Sequence, residues 1–211
     1  PMIPGYECSG TVEALGAGVS GFSVGDPVIG RALPHTYMEY VAAPANRVYR
    51  LPQGSNLTEA ATVISGLTMA RQALVHCAKV QPGETVLVHA VGSGTGIACV
   101  QMAKGLGATV IGTASSDDKL EGAKQYGLDH AINYATQDFV AEVNSLTDGK
   151  GVQVVVEGLG GDYLLKSLKC LAPYGRLVNF GRAGGPRSVE ILLPDLWGRN
   201  LSIIGAGSGT P

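Results

Sequence analysis

The sequence predicts an α/β protein built on a doubly wound parallel sheet of six strands, preceded by a small β-rich unit. Three observations predict it. After Pro82-Gly83, short β-branched runs alternate with segments of helical spacing. One of those strand-to-helix junctions, within Thr85 to Leu106, is a turn holding Gly92, Gly94 and Gly96. Near residue 55 the chain changes from short β-like segments punctuated by Gly, Pro and Asp to longer helical ones. The expected division is therefore 1–55 for the β-rich unit and 56–211 for the α/β domain.

In the first unit, Cys8–Leu15, Pro27–Gly30, Tyr37–Ala42 and Arg47–Arg50 read as strands. Some fifty residues with few aromatics make a poor independent core, so this unit is expected to lean on something else. Helices are expected from Leu57 through Ile64 and from Thr68 to Ala78. The strands of the second unit are expected at Thr85–His89, Thr109–Thr113, His130–Asn133, Val152–Glu157, Gly175–Phe180 and Leu201–Gly205. Between them, helices are expected at Thr95–Gly105, Asp118–Tyr126, Asp138–Leu146 and Tyr163–Cys170. Pro194 argues against one simple helix across 188–200.

Composition bounds the function classes. The chain has 211 residues, 45% of them hydrophobic and 15% charged, which fits a globular protein with a substantial core. Its net charge of −2 and the lack of a Lys/Arg cluster leave no electrostatic footprint for nucleic acid. No window approaches the ~20 apolar residues that span a bilayer, and the N-terminal residues have neither the basic start nor the apolar core of a signal sequence. Cys8, Cys77, Cys99 and Cys170 are scattered and form no C-x-x-C, as expected of buried free thiols in a cytoplasmic protein.

The turn carries the functional signal. Strand, glycine turn and helix bring backbone N–H groups and a helix N-terminus up to a pyrophosphate, so Gly92, Ser93, Gly94, Thr95 and Gly96 are candidate cofactor-binding residues. The spacing is G-x-G-x-G rather than G-x-G-x-x-G, and a turn of this kind can also serve tight packing alone. A dinucleotide site that takes NAD has an acid at the tip of the second strand. Here that strand ends in Thr113-Ala114-Ser115-Ser116, with Lys119 just beyond. Hydroxyls and a lysine suit a 2′-phosphate, favouring NADPH over NADH. Tyr134, at the end of the third strand, is placed to cover the adenine-ribose corner. The alternative is that Lys119 is a solvated first-turn residue whose neighbours Asp117, Asp118 and Glu121 oppose phosphate binding.

Several segments carry a family resemblance: Pro4-Gly5-Tyr6-Glu7-Cys8-Ser9-Gly10, Val24-Gly25-Asp26-Pro27-Val28, Gly66-Leu67-Thr68, the Ala90–Gly96 turn, Ile132-Asn133-Tyr134 and Asn179-Phe180-Gly181. In this order and spacing the chain resembles the zinc-free quinone oxidoreductase branch of the medium-chain dehydrogenase/reductase superfamily, which includes the zeta-crystallin-like proteins. The resemblance implies a Rossmann NADP-binding domain and a GroES-like substrate domain. The latter is expected to be incomplete, because residue 1 falls inside it and Pro211 lies just past the sixth Rossmann strand. The family turn is usually A-x-x-G-x-x-G, and Ser93 stands where its middle glycine is expected.

By this resemblance, Ser115, Ser116, Lys119 and Tyr134 surround the 2′-phosphate of NADPH. Thr68 faces the nicotinamide ribose, and Gly158, Phe180, Gly181 and Arg182 line the cofactor cleft. Zinc-dependent relatives carry Gly-His-Glu where this chain has Gly5-Tyr6-Glu7, and His35, His76, His89 and His130 share no ligand spacing. No metal is expected. The implied activity is hydride transfer from NADPH to a quinone or an α,β-unsaturated carbonyl. The alternatives are an enoyl-thioester reductase and a non-catalytic, crystallin-like NADPH-binding protein. No catalytic residue is singled out: Tyr37 and Tyr40 fit a substrate pocket and an ordinary half-buried strand equally. A homodimer is expected through the sixth Rossmann strand, Leu201–Gly205, whose β-branched edge would otherwise stand open; a missing C-terminal segment covering that edge is the other reading.

Overall fold

A computed structural model describes residues 2–31, 34–183 and 185–207. The chain separates into two compact units, Pro1–Ser65 and Gly66–Pro211.

The first unit is organised by a three-stranded antiparallel sheet in the order β1-β2-β3, formed by β1 (Glu7–Thr11), β2 (Pro27–Arg31) and β3 (Val48–Arg50). Ile29, on the central strand opposite Ser9 and Tyr49, is buried. Asp26 closes the turn before β2, accepting from the Ser23 N–H and from Arg50. The Ser23 bond is the main cause holding its carboxyl below the usual range; Arg50 adds to it. A short helix, α1 (Leu57–Ala60), is capped by Asn56, whose side chain accepts from Thr58 N and Glu59 N. The Ser9 hydroxyl donates to the Leu57 carbonyl and ties α1 to β1.

The expected strand at Tyr37–Ala42 does not form. Its Tyr37 N–H donates to the Pro4 carbonyl, outside any ladder. Both edges of β2 are taken by β1 and β3, and Tyr37 and Tyr40 are exposed. An alternating pattern without a ladder partner does not make a strand.

In the second unit, six parallel strands lie in the order β6-β5-β4-β7-β8-β9. They are β4 (Thr85–Val88), β5 (Thr109–Ala114), β6 (His130–Asn133), β7 (Val152–Glu157), β8 (Leu171–Asn179) and β9 (Ser202–Gly205). This is the doubly wound Rossmann arrangement, with its switch between β4 and β7. Strand alternation sorts the core into two layers. Val86, Val88, Val110, Val154 and Val156 pack against α2 (Ile64–Arg71), α3 (Gly94–Gly105) and α4 (Asp117–Lys124). Leu87, Ile111, Val155 and Leu177 face α5 (Phe139–Leu146) and α6 (Asp162–Cys170).

The helix expected from Leu57 through Ile64 ends at Ala60, and two further elements differ from their sequence expectation. The helix expected at Thr68–Ala78 begins at Ile64 and becomes a π-helical turn over Gln72–Cys77. There the Ala78 N–H reaches back five residues to the Ala73 carbonyl. Strand β8 starts at Leu171, directly after α6, rather than at Gly175. Its early residues are irregular: Tyr174 has φ +61° and gives its N–H to the Arg199 carbonyl. Pro194 sits in the first turn of a five-residue helix, α7 (Leu193–Trp197), where its missing N–H costs nothing.

Candidate nucleotide-binding site

The candidate residues gather at the C-terminal ends of the parallel strands, in two groups on either side of the β4/β7 switch. The first group surrounds the turn after β4. Ala90 takes φ +55°, and its carbonyl receives the Ser93 N–H and hydroxyl. Ser93 is the N-cap of α3, its Oγ accepting from the Gly96 N–H at 3.1 Å. The serine in place of the family's middle glycine thus satisfies one first-turn donor. The N–H groups of Gly94 and Thr95 have no carbonyl one turn back within the helix, so the helix start can receive an anion there.

The glycines of this turn serve different ends. A Cβ on Gly96 would lie 2.3 Å from the Ala90 carbonyl oxygen, so that glycine allows the turn to fold onto the helix. A Cβ on Gly92 would lie 2.9 Å from Cβ, Cγ and Cδ of Lys119, whose stem crosses this glycine. Nothing lies within 4 Å of a Cβ built on Gly94. Only at Gly94 is the space still open for a ligand.

Lys119, on α4, extends its ammonium to Ser115 Oγ at 3.2 Å. The turn, the tip of β5 and the start of α4 thus meet through one side chain. Ser116 is the extended residue before α4, and its hydroxyl makes no cap bond. Two of the three nearby acids are already engaged. Asp117 accepts from Asn133 Nδ2 at 2.8 Å, and Glu121 pairs with Lys124 at 2.5 Å. Tyr134 donates its N–H to the Ala114 carbonyl, and its ring meets Tyr163 edge-on at 5.4 Å. Burial first, then the proximity of Tyr134, raises the Tyr163 phenol. Thr68 is half-buried on α2, two residues beyond Gly66, where an added Cβ would lie 3.1 Å from the Gly94 carbonyl oxygen.

The second group joins Gly158, Phe180, Gly181 and Arg182. A Cβ on Gly158 would lie 2.5 Å from the Phe180 ring, and the Gly158 carbonyl accepts from Ala183 N at 2.9 Å. Arg182 donates to the Gly185 carbonyl at 3.1 Å. Beside them opens a cleft of about 490 Å³, lined among others by Phe180, Gly181, Arg182, Arg187 and Ala206. The two groups lie on opposite wings of the sheet.

Three features escaped the sequence. Glu157, which ends β7, is fully buried; its Oε1 accepts from Leu159 N and Gly160 N and its Oε2 from Asn179 Nδ2. A charged residue closing a valine-rich strand was the signal available for it. His89 is buried, with Nδ1 2.9 Å from Thr113 Oγ1 and Nε2 2.9 Å from Ser167 Oγ. Ser167 spends its hydrogen on the Tyr163 carbonyl at 2.6 Å. It therefore accepts from His89 Nε2–H, and the Thr113 hydroxyl donates to Nδ1. Burial pushes the imidazole down to about 4. Third, Arg176 reaches from β8 to Glu84, just before β4, with bonds of 2.9 and 2.6 Å.

Among the described residues, no group of three or more His, Cys, Asp or Glu is placed to hold a metal ion. Cys99 and Cys170 are buried free thiols, while Cys8 and Cys77 are half-buried. Burial pushes both Cys99 and Cys170 up to about 12. Among the described residues, no helix is long and apolar enough to cross a membrane.

Comparison with known proteins places this architecture. Residues 94–211 match the family model described as zinc-binding dehydrogenase, and residues 1–53 match the alcohol dehydrogenase GroES-like domain. The chain is 41% identical over 201 residues to a 2-haloacrylate reductase of Burkholderia sp., covering 93% of this chain and 60% of that protein. A quinone oxidoreductase of Pseudomonas aeruginosa is 40% identical over 191 residues, covering 88% of this chain and 58% of that protein. Among solved structures, a mycobacterial protein complexed with NADPH superimposes with a TM-score of 0.89 at 33% identity, over 98% of this chain and 65% of that one. The chain spans about 60% of the length of these relatives. With both family models in chain order on a Rossmann unit and a small β unit, it belongs to the medium-chain dehydrogenase/reductase superfamily, in its quinone oxidoreductase-like branch.

Proposed function

We propose that this chain carries the cofactor-binding part of an NADPH-dependent oxidoreductase that delivers hydride to a quinone or an α,β-unsaturated carbonyl without zinc. The observation that carries this reading is Lys119, laid across Gly92 with its ammonium on Ser115 Oγ at a strand tip without an acid. A cation, two serine hydroxyls and free helix N–H groups are what an extra 2′-phosphate and a pyrophosphate require. Ser115, Ser116, Lys119 and Tyr134 hold the adenosine end in this reading. The N–H groups of Gly94 and Thr95 receive the diphosphate, and Thr68 with Phe180, Gly181 and Arg182 borders the nicotinamide end. When bound, the cofactor supplies the hydride; the protein's residues orient it and exclude water.

The similar 2-haloacrylate reductase and quinone oxidoreductase support an electron-poor alkene or quinone as acceptor. Calorimetric titration of the chain with NADPH and NADH, beside Lys119→Ala, tests the cofactor assignment. NADPH affinity is expected to fall roughly tenfold in the variant with NADH unaffected. An equal response of both cofactors overturns it. A turnover screen across quinones, enones and enoyl thioesters reads the acceptor.

The same reading includes a homodimer through β9, the outer strand of the sheet, where Ile203 is partly exposed. A single monomer mass by size-exclusion chromatography with light scattering overturns that part.

A further inference from the structure

We infer that Glu157 and Asn179 form a positioning pair that fixes the floor under the nicotinamide end of the cofactor, an inference that rests on the cofactor reading above. Glu157 is fully buried and accepts three N–H bonds: Leu159 N at 2.5 Å, Gly160 N at 2.6 Å and Asn179 Nδ2 at 2.6 Å. Asn179 Nδ2 also donates to the Gly181 carbonyl at 2.8 Å. One carboxylate and one amide therefore hold the loop after β7 and the loop after β8 in a single arrangement.

The backbones interlock at the same place. Phe180 N donates to the Glu157 carbonyl, and Ala183 N to the Gly158 carbonyl. Cβ atoms on Gly158, Gly160 and Gly185 would meet Phe180, Arg182 and the Leu159 carbonyl oxygen at 2.5, 3.0 and 2.8 Å. Gly160 and Gly161 adopt φ of +76° and +58°. Both loops contribute residues to the cleft: Gly160 and Gly161 from one, Phe180, Gly181 and Arg182 from the other.

A buried carboxylate is costly unless every lone pair has a donor. Here the carboxylate spans two strands and the amide extends the link to Gly181, the residue beside the cleft. Such pre-organisation removes the ordering cost from ligand binding. Glu157→Gln keeps the shape, but its new NH₂ faces either the two backbone N–H groups or Asn179 Nδ2. If Asn179 turns to accept, it surrenders the Gly181 carbonyl.

The test compares NADPH with adenosine 2′,5′-bisphosphate, which lacks the nicotinamide half. Both are titrated into the chain, into Glu157→Gln and into Asn179→Ser, a part-exposed position that keeps the test open should the buried variant not fold. NADPH affinity is expected to fall at least tenfold in each variant, with adenosine 2′,5′-bisphosphate affinity unchanged. The double variant is expected to be no weaker than the singles, because the link is shared. Unchanged NADPH affinity, or a parallel loss of both ligands, overturns the positioning role while the cofactor reading stands. If the unmodified chain binds neither ligand, the cofactor reading falls and the positioning role falls with it.

Discussion

The stem of Lys119 crosses the backbone of Gly92, so closely that a methyl group at residue 92 would sit 2.9 Å from three of its carbons. The glycine turn and the lysine are therefore one device. Gly92→Ala is expected to push the ammonium off Ser115 and to lower NADPH affinity roughly tenfold. Because Gly92 is exposed, the thermal midpoint should move little. Calorimetry beside a thermal melt separates the two effects; a large drop in melting temperature with unchanged affinity would refute the coupling.

Ser93 caps α3 by accepting the Gly96 N–H. Ser93→Ala should cost about 1 kcal/mol of stability and Ser93→Gly only a few tenths. Urea midpoints check the order. Ser93→Gly also frees the Gly96 N–H and brings the turn to the family's usual pattern, so its affinity for NADPH should hold or rise.

His89 is expected to make the protein acid-sensitive well above the carboxylate range. The unfolded ring takes a proton as pH falls through 6.5, the folded one only at about 4. The unfolded state binds more protons across that interval, so stability declines from pH 6.5 down to about 4 and then levels off for this group. The loss is on the order of 3 kcal/mol. His89→Gln, which does not titrate, should flatten the urea midpoint between pH 4 and 6.5. An unchanged slope would show that another group is responsible.

Glu84 is pulled both ways. Its burial raises the carboxyl, but Arg176 and the Gln81 N–H more than offset this and hold it below 4.5. Its contribution is present above the unfolded value of 4.5 and is lost as pH falls through the lower folded one. Glu84→Gln is expected to cost about 1 kcal/mol at pH 7, after allowing for the pair's partial exposure, and to remove that segment of the acid limb. A denaturation series from pH 7 to 3 reads it.

The parallel sheet was legible because β4, β5 and β7 are short β-branched runs and the connections between β4 and β8 are helices of ordinary length. The loss of Tyr37–Ala42 as a strand shows the limit of that reading. Alternation states which face a residue would take, but only a free neighbouring edge makes a ladder. At the site, the turn and Lys119 were visible as local patterns. Glu157–Asn179 and Thr113–His89–Ser167 were not, since 22 and up to 78 residues separate their partners. Such pairings exist only after the strands are ordered side by side. Ser93 was read as a missing glycine; its hydroxyl does capping work that spacing alone does not reveal.

The order β6-β5-β4-β7-β8-β9 has a consequence for how such a protein can change. Chain preceding Asn133 builds the wing with Lys119 and Ser115, and chain following Val152 builds the wing with Phe180 and Arg182. The wings are consecutive in sequence and meet along the seam between β4 and β7, and again where Tyr134 packs on Tyr163 and where His89 reaches Ser167. Recombination at the α5 junction would therefore exchange one wing as a continuous piece of chain, with the Tyr134–Tyr163 contact as the joint that the incoming piece has to match.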